Sequence, residues 1–330
     1  MSRFRPHASP AGWLAGAVAI WLVAVASASG TSAASTDAPP VKAPPAAVQS
    51  GNGTPASPDQ YAGEDMCLTC HEDQKKGYQG SAHARATDPR SPAATQGCES
   101  CHGPGKAHAE SGGDKTKIRK ISALSPREQS DGCITCHNRG EHAEWQGSPH
   151  DARNVSCLSC HSVHAPKSEK AQLTKTTQTE TCVQCHKQEV NKLRRSAHMP
   201  VREGKMECSS CHNAHGSTNV RMLREGNSVN ESCVSCHAEK RGPFLYEHAV
   251  GRENCTTCHD PHGSSNERML VAKQPMLCQR CHVHSRHPAT VYDATQVLTA
   301  KSNRAVSRSC VNCHVSIHGS NHPSGKVFTR

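Results

Sequence analysis

Cysteine and histidine carry the chemistry of this sequence, and they recur together at one spacing. The 330 residues contain 20 cysteines and 24 histidines. Every cysteine belongs to a Cys-x-x-Cys-His motif, which gives ten copies and leaves no cysteine over. Two thiols at this spacing can each form a thioether with one haem vinyl group, and the adjacent histidine then supplies an axial nitrogen to the iron. The pattern predicts ten covalently attached haem c groups.

The ten motifs are numbered 1 to 10 along the chain. The predicted attachment residues are Cys67, Cys70, Cys98, Cys101, Cys133, Cys136, Cys157, Cys160, Cys182, Cys185, Cys208, Cys211, Cys233, Cys236, Cys255, Cys258, Cys278, Cys281, Cys310 and Cys313. The predicted proximal iron ligands, here called motif histidines, are His71, His102, His137, His161, His186, His212, His237, His259, His282 and His314.

Three other uses of paired cysteines fit the pattern less well. Structural zinc sites could be built from ten Cys-x-x-Cys pairs, but zinc gives no reason for a histidine at the next position every time. A disulfide framework also leaves these histidines unexplained. Thioredoxin-like redox pairs occur once per domain within an α/β pattern that is absent here.

Thirteen histidines remain after the ten motif histidines and His7, which lies in the predicted signal peptide, are subtracted from the 24. An internal repeat indicates which of the thirteen are ligands. The motifs form five pairs, and in four of them a histidine lies 11 to 13 residues after the histidine of the leading motif: His83, His150, His198 and His248. The predicted distal ligands are His83, His108, His150, His164, His198, His215, His248, His262, His287 and His318. Three histidines are expected to be ordinary surface residues: His142, His284 and one of the two C-terminal histidines, His318 and His322.

The fifth pair of motifs departs from this rule. His282 is followed by His284 and His287, only two and five residues on, and His314 is followed by His318 and His322. We favour His287 and His318 as ligands and keep His322 as a close alternative.

Three predicted distal histidines follow a motif histidine after only three residues. They are His164, His215 and His262. The two axial ligands of an iron lie on opposite faces of the ring, and so short a connection cannot pass around the macrocycle. We therefore expect each of them to bind a haem other than the one attached at the adjacent motif.

The elements that must position these residues follow from the rest of the sequence. Residues 1–28 carry Arg3 and Arg5, an apolar run and a small-x-small site, which is the pattern of a secretory signal peptide. Residues 29–60 are rich in Ala and Pro and are predicted to form a disordered tether. Residues 61–330 are predicted to form the decahaem electron-transfer domain.

The composition excludes an ordinary globular core. Hydrophobic residues make up 34%, aromatic residues 3%, and the mean hydropathy is −0.68. Such a chain buries too little apolar surface to offset its conformational entropy, so the cofactors must serve as the core. We predict a multihaem cytochrome c fold: an elongated chain of five two-haem repeats, mostly irregular coil with short α-helices and almost no β-sheet.

Two histidines on each iron would leave no open axial position for a substrate, which favours electron transfer over catalysis. A multihaem reductase, the enzyme alternative, needs at least one five-coordinate iron. Its usual signs are a lysine in place of the motif histidine or too few distal histidines, and neither occurs here. The formal charge of +10 is offset by the haem propionates and predicts no nucleic-acid partner.

Beyond the motifs, two segments carry a resemblance to a known family. They are Glu239-Lys-Arg-Gly-Pro243 and Ile317-His-Gly-Ser-Asn-His-Pro-Ser-Gly-Lys326. With ten motifs in this length, residues 61–330 resemble the periplasmic decahaem cytochromes of the MtrA/DmsE type.

The resemblance implies a periplasmic protein associated with the outer membrane, where the haem chain sits inside a β-barrel porin partner. It further implies periplasmic cytochromes or quinol-linked donors and acceptors, and an extracellular multihaem cytochrome as an additional partner. Electrons would serve metal reduction or Fe(II) oxidation, the direction being open. A soluble periplasmic electron carrier is the main alternative.

Overall fold

The protein is described by a computed structural model that covers residues 57–282 and 309–330. All ten motifs lie within these residues. The predicted signal peptide and almost all of the predicted tether lie outside them, as do His284 and His287.

Short helices separated by irregular segments make up the described residues. The α-helices are α1 (Glu64–Leu68), α2 (Glu72–Gln79), α3 (Glu99–His102), α4 (Lys106–Glu110), α5 (Pro126–Ile134), α6 (Gln178–Cys182), α7 (Lys187–Leu193), α8 (Val229–Val234), α9 (Ala249–Glu253) and α10 (Met276–Gln279). Residues 57–282 and 309–330 contain isolated backbone bridges but no β-strand. The predicted fold class of short helices, coil and almost no sheet is confirmed. No described helix is long and apolar enough to cross a bilayer.

Helices that lead into odd-numbered motifs start and end in a common way. The N-cap residues Ser125, Thr177 and Ser228 begin α5, α6 and α8, and each accepts a hydrogen bond from the backbone N–H of a glutamate three residues later. Such caps satisfy one of the unpaired donors of a helix start. Each helix ends at the first cysteine of its motif or one residue beyond it. The last helical turn therefore holds the first attachment cysteine.

Four of the five even-numbered motifs are built differently from the odd-numbered ones, the exception being motif 2, which lies in α3. Motifs 4, 6, 8 and 10 begin as single 3-10 turns at Cys157–Ser159, Cys208–Ser210, Cys255–Thr257 and Cys310–Asn312. In motifs 4, 6 and 8 the motif histidine then pairs through its backbone with a leucine 11 or 12 residues on. This bridge closes a loop over the histidine.

The core formed by protein atoms is small. The buried hydrophobic side chains in the described residues are those of Tyr78, Trp145, Leu193, Leu223 and Leu270. Five side chains contribute on the order of 10 kcal/mol of burial, far below the conformational entropy of a chain of this length. The fold therefore depends on its cofactors for a core.

Candidate functional site

The first cysteines of the two motifs in each pair lie side by side. The neighbouring thiols are Cys67 with Cys98, Cys133 with Cys157, Cys182 with Cys208, Cys233 with Cys255, and Cys278 with Cys310. In the first pair, burial and then the Cys98 thiol raise the pKa of Cys67 to about 11. In the second, a hydrogen bond with Cys157 is the main cause that raises the pKa of Cys133. Because thioether bonds remove these protons, the pKa shifts serve here only as marks of proximity.

The second cysteines connect each pair of motifs to the next. The neighbours are Cys101 with Cys136, Cys160 with Cys185, Cys211 with Cys236, and Cys258 with Cys281. In each case burial, followed by the neighbouring thiol, raises the pKa of the cysteine from the even-numbered motif. All ten attachment motifs are thus connected in sequence order, each to the next.

Motif histidines face a second histidine ring across a gap of nearly constant width. The opposed pairs are His71 with His108, His102 with His164, His137 with His83, His161 with His215, His186 with His150, His212 with His262, His259 with His318, and His282 with His248. Their ring centroids are 5.9 to 6.4 Å apart. Two metal–imidazole bonds of about 2.0 Å each, plus the ring radii, need a separation of about 6 Å. The pairs therefore fit an iron between them.

The opposed rings follow a rule along the chain. A histidine after an odd-numbered motif reaches forward to the next odd-numbered motif, as His83 does to His137. A histidine after an even-numbered motif reaches back to the previous even-numbered one, as His262 does to His212. The exception is His108, which follows motif 2 and faces His71 of motif 1. The three histidines for which the sequence predicted a more distant iron all face a motif histidine other than their neighbour.

Close backbone packing brings the backward-reaching histidines into place. Gly263 follows His262 directly with φ +135°, and a Cβ on it would overlap the backbone oxygen of Lys192. Beside it, Ala197 and Ser264 exchange backbone hydrogen bonds of 3.0 and 2.7 Å. Only glycine tolerates both this φ and this approach. The turn after motif 8 is thereby fixed against the segment that follows motif 5.

The turn after motif 6 repeats this arrangement one step earlier in the chain. Gly216 has φ +113°, and a Cβ on it would overlap the backbone oxygen of Glu144. The turn after motif 4 packs in the same way against the segment after motif 1. Here the glycine belongs to the earlier segment: a Cβ on Gly77 would overlap the backbone oxygen of His164. The second, third and fourth repeats therefore each present their second predicted distal histidine to the repeat before them.

Backbone carbonyls orient the histidines of the even-numbered motifs. The Nδ1–H groups donate to carbonyl oxygens as follows: His102 to Arg119, His161 to Ala171, His212 to Arg221, His259 to Arg268, and His314 to Val327. The first four N···O distances are 2.6 to 3.1 Å. A hydrogen bond at Nδ1 fixes the tautomer and leaves the Nε2 lone pair for a metal.

Three of these carbonyls come from backbone held in the left-handed region. The residue pairs are Ala171 and Gln172, Arg221 and Met222, and Arg268 and Met269, with φ between 49° and 61°. Each such residue costs about 1 kcal/mol or more. The same unfavourable conformation recurs at motifs 4, 6 and 8, where it aims a carbonyl at the motif histidine.

Burial keeps several of these imidazoles neutral. It is the largest cause that lowers the pKa of His83, His102, His262 and His318, and together with neighbouring histidines it lowers the pKa of His215 to about 4. Iron binds the neutral imidazole through its lone pair. The environment thus favours the form of histidine that can act as a ligand.

Not every predicted ligand is brought to a motif histidine. The Nε2 atom of His198 lies 3.1 Å from Oε1 of Glu203, and within the described residues no histidine ring faces His237. His287 lies outside these residues, so its predicted role stays a prediction. At the C-terminus, His318 faces His259, whereas Nδ1 of His322 accepts a hydrogen bond from the backbone of Ser324.

One expectation from the sequence was wrong. His142 was expected to be an ordinary surface histidine, but it is half-buried, with its ring centroid 4.2 Å from that of His215 and 5.5 Å from that of His137. Burial and the adjacent His137 lower the pKa of His142. The repeat could not reveal this contact, because the first, third and fourth repeats have Lys76, Asn191 and Gly242 at the equivalent position.

Comparison with known proteins recovers the same motifs. A family described as a doubled CXXCH motif matches residues 198–242 and 248–287. A family described as cytochrome c-type protein NrfB-like matches residues 98–185. The doubled motifs join motif 6 to 7 and motif 8 to 9, whereas the histidine offsets pair motif 5 with 6 and 7 with 8. Both kinds of neighbours are in contact.

A similar protein covers most of the chain. The multihaem cytochrome MtrA of Shewanella baltica (strain OS185) is 42% identical over 277 residues, which span 81% of each chain. The paired motifs and their cysteines identify covalently bound haem c as the cofactor. The chain belongs to the MtrA family of multihaem c-type electron-transfer cytochromes.

Proposed function

We propose that this protein carries electrons along ten haem c groups arranged in sequence order, with two histidines on every iron. The observation that carries the proposal is the unbroken series of contacts between consecutive motifs. Bound haem c supplies one-electron exchange between ferric and ferrous iron. The chain's own residues set the spacing that lets each site exchange electrons with the next.

The proposed axial ligands are the opposed rings. Eight irons would be bound by the pairs described above. The rule of forward reach assigns His198 to the motif histidine His237. His287 has no later odd-numbered motif to reach, and we assign it to His314 because these two are the predicted ligands that remain. The Nε2 of His198 would have to leave Glu203 to bind this iron, and a change of side-chain rotamer is enough to release that exposed contact.

Closure of both axial positions makes electron transfer the function rather than substrate conversion. Imidazoles on both faces leave no coordination site for a nitrogen oxyanion or another substrate. The opposed rings support this closure, because His215, His262 and His318 each face a motif histidine across a gap of about 6 Å, which an iron fits. A reductase would need one of them to be displaced.

The proposed location is the periplasm, with the protein associated with a β-barrel porin in the outer membrane. Two observations support it: the signal-peptide pattern at residues 1–28 and membership of the MtrA family. The electrons would pass between periplasmic carriers and donors or acceptors outside the cell, such as Fe(II), Fe(III) minerals or an extracellular multihaem cytochrome.

Detergent extraction of outer membranes from cells that express the holoprotein tests this location. We expect a β-barrel protein to co-purify in a constant ratio to haem. After reconstitution in liposomes that contain a reduced viologen dye, the complex should let external ferric citrate oxidise the dye. Release of the cytochrome from membranes by salt alone, without a barrel, would instead identify a soluble periplasmic carrier.

A further inference from the structure

His142 lies where two neighbouring haem sites meet. His137 belongs to motif 3 and His161 to motif 4, and the first cysteines of these motifs, Cys133 and Cys157, are in contact. The ring of His142 is within 5.5 Å of the ring of His137 and within 4.2 Å of His215, which faces His161. One imidazole thus reaches a predicted ligand from each site.

The contact between His142 and His215 is direct. An iron between two imidazoles needs ring centroids about 6 Å apart, and 4.2 Å is too short for that. The two rings are tilted by 40° and lie within van der Waals distance. His142 therefore packs on a predicted ligand and does not share its iron.

The segment that carries His142 is held firmly against the turn after motif 6. The Asn213 side chain donates a 2.8 Å hydrogen bond to the backbone oxygen of Glu141, whose carboxylate pairs with Arg224. Two residues beyond His142, the backbone oxygen of Glu144 packs against Gly216. The position of the His142 ring over His215 is thus fixed from both sides.

His215 lacks the Nδ1 hydrogen bond that orients the histidines of the even-numbered motifs. Its Nδ1 is buried and has no hydrogen-bond partner, unlike Nδ1 of His212, which lies 2.9 Å from a backbone carbonyl. The ring is instead flanked by His142 and by the buried side chain of Trp145, whose centroid is 6.4 Å away. Packing takes the place of the hydrogen bond at this site.

We propose that His142 is a positioning residue for the fourth haem: it packs on His215 and holds that ring nearly parallel to the ring of His161. The observed angle between the His161 and His215 planes is 18°. The proposal rests on the bis-histidine ligation put forward above. The proposal gives a role to His142, which the repeat does not assign as a ligand.

The angle between two axial imidazole planes has a spectroscopic signature. Low-spin ferric haem with nearly parallel imidazoles gives a rhombic EPR signal, whereas crossed imidazoles give a broad, strongly anisotropic signal at low field. The neighbouring third site provides an internal contrast, because its rings, His83 and His137, cross at 86°. Loss of His142 should move the fourth site from the first class towards the second.

Low-temperature EPR of oxidised holoprotein with His142→Ala and His142→Phe tests the proposal, with haem content fixed by intact mass. In His142→Ala we expect about one tenth of the low-spin intensity, one haem of ten, to leave the rhombic signal and appear at low field. His142→Phe should stay close to wild type, because a phenyl ring restores the packing. Glu144→Ala, an exposed neighbour in the same segment, is the control and should change nothing.

The outcomes separate the two levels of the proposal. An unchanged spectrum in His142→Ala would overturn the role of His142, as would a His142→Phe spectrum identical to that of a shifted His142→Ala. A high-spin signal already present in the wild-type protein would contradict the bis-histidine ligation itself. If His142→Ala carries fewer than ten haems by mass, the test rests on His142→Phe, which keeps a ring of similar volume. Its spectrum should then match that of the wild type.

Discussion

The two sites in each repeat hold their motif histidine by different means. In even-numbered motifs a backbone carbonyl accepts a hydrogen bond from Nδ1, as Arg221 does for His212. In odd-numbered motifs no such bond occurs among the described residues, and His71 and His186 instead lie at the start of α2 and α7. The even-numbered histidines share a carbonyl contact at Nδ1, and two of the odd-numbered ones precede a helix instead.

This difference predicts two classes of redox potential among the ten haems. A hydrogen bond at Nδ1 makes an imidazole a more basic ligand, which stabilises ferric iron and lowers the potential. We therefore expect the haems of even-numbered motifs to be reduced at lower potential than those of odd-numbered motifs. Proposed distal ligands vary this contrast from site to site. Nδ1 of His83, at the third site, is buried without a partner, whereas Nδ1 of His108 and of His150, at the first and fifth sites, bonds a backbone carbonyl.

The largest expected effect comes from the glycine turn that brings His262 to the even-numbered motif before it. Gly263→Ala introduces a Cβ that overlaps the backbone oxygen of Lys192 at φ +135°. We expect a loss of stability of about 2 kcal/mol or more and release of His262 from the haem of motif 6. Thermal unfolding and the appearance of a high-spin, carbon-monoxide-binding haem measure both results.

Gly251→Ala is the matched control for this substitution. Gly251 lies within α9 and a Cβ there meets nothing within 4 Å. In a helix, alanine should leave stability unchanged or raise it by up to about 1 kcal/mol. Equal behaviour of the two variants would show that the turn at residue 263 does not position His262.

A smaller effect is expected from the left-handed loop that clamps His212. Arg221→Val places a β-branched residue at φ +55°, a conformation such residues avoid. We expect a loss of about 1 to 2 kcal/mol and an upward shift of one haem potential as the hydrogen bond to His212 weakens. A spectroelectrochemical titration follows the shift.

Lys187→Val makes the comparable change beside an odd-numbered motif. Lys187 follows His186 at the exposed start of α7, where no left-handed backbone is needed. We expect a cost below about 1 kcal/mol and no change in any potential. If both variants shift a haem potential equally, the distinction between clamped and helix-borne histidines is wrong.

The smallest effect should come from the ion pair that ties the same loop to the preceding repeat. The Arg224 guanidinium hydrogen-bonds the Glu141 carboxylate and holds its pKa below the ordinary value. A carboxylate with a lowered folded-state pKa stabilises the fold above its unfolded pKa and loses that contribution as pH falls through the folded value. Because both side chains are partly exposed, Glu141→Gln should cost less than about 1 kcal/mol at neutral pH.

The pH dependence of unfolding distinguishes this pair from a general loss of charge. The difference between wild type and Glu141→Gln should shrink as pH falls below the ordinary glutamate pKa of about 4.3, and vanish once Glu141 is protonated in the folded protein. Glu144→Gln removes a nearby exposed carboxylate and should show no such dependence. A constant difference across pH would mean that the ion pair does not support the loop.

The sequence predicts the cofactor and the fold class well because both follow from local chemistry. Ten cysteine motifs without a remainder identify the haem sites, and a composition poor in apolar residues indicates short helices and coil. The offset of 11 to 13 residues selects His83, His150 and His248, which face a motif histidine, and also His198, which contacts Glu203. The partner of each is not readable from spacing, since His262 and His212 meet only through packing between repeats.

The remaining features depend on tertiary structure. Arg221 and Arg268 have left-handed backbone, which the sequence does not predict because neither residue is a glycine or an asparagine. His142 has a neighbour in space, His215, that lies 73 residues away in sequence. Side chains of this kind become functional only after distant loops have docked.

Low-temperature EPR of the oxidised wild-type protein, with its haem count fixed by intact mass, tests the central claim most directly. Ten haems with only low-spin signals are the result expected if two histidines close every iron. A high-spin signal equivalent to one haem would contradict this. It would show an open iron and make catalysis at that site the function to explain.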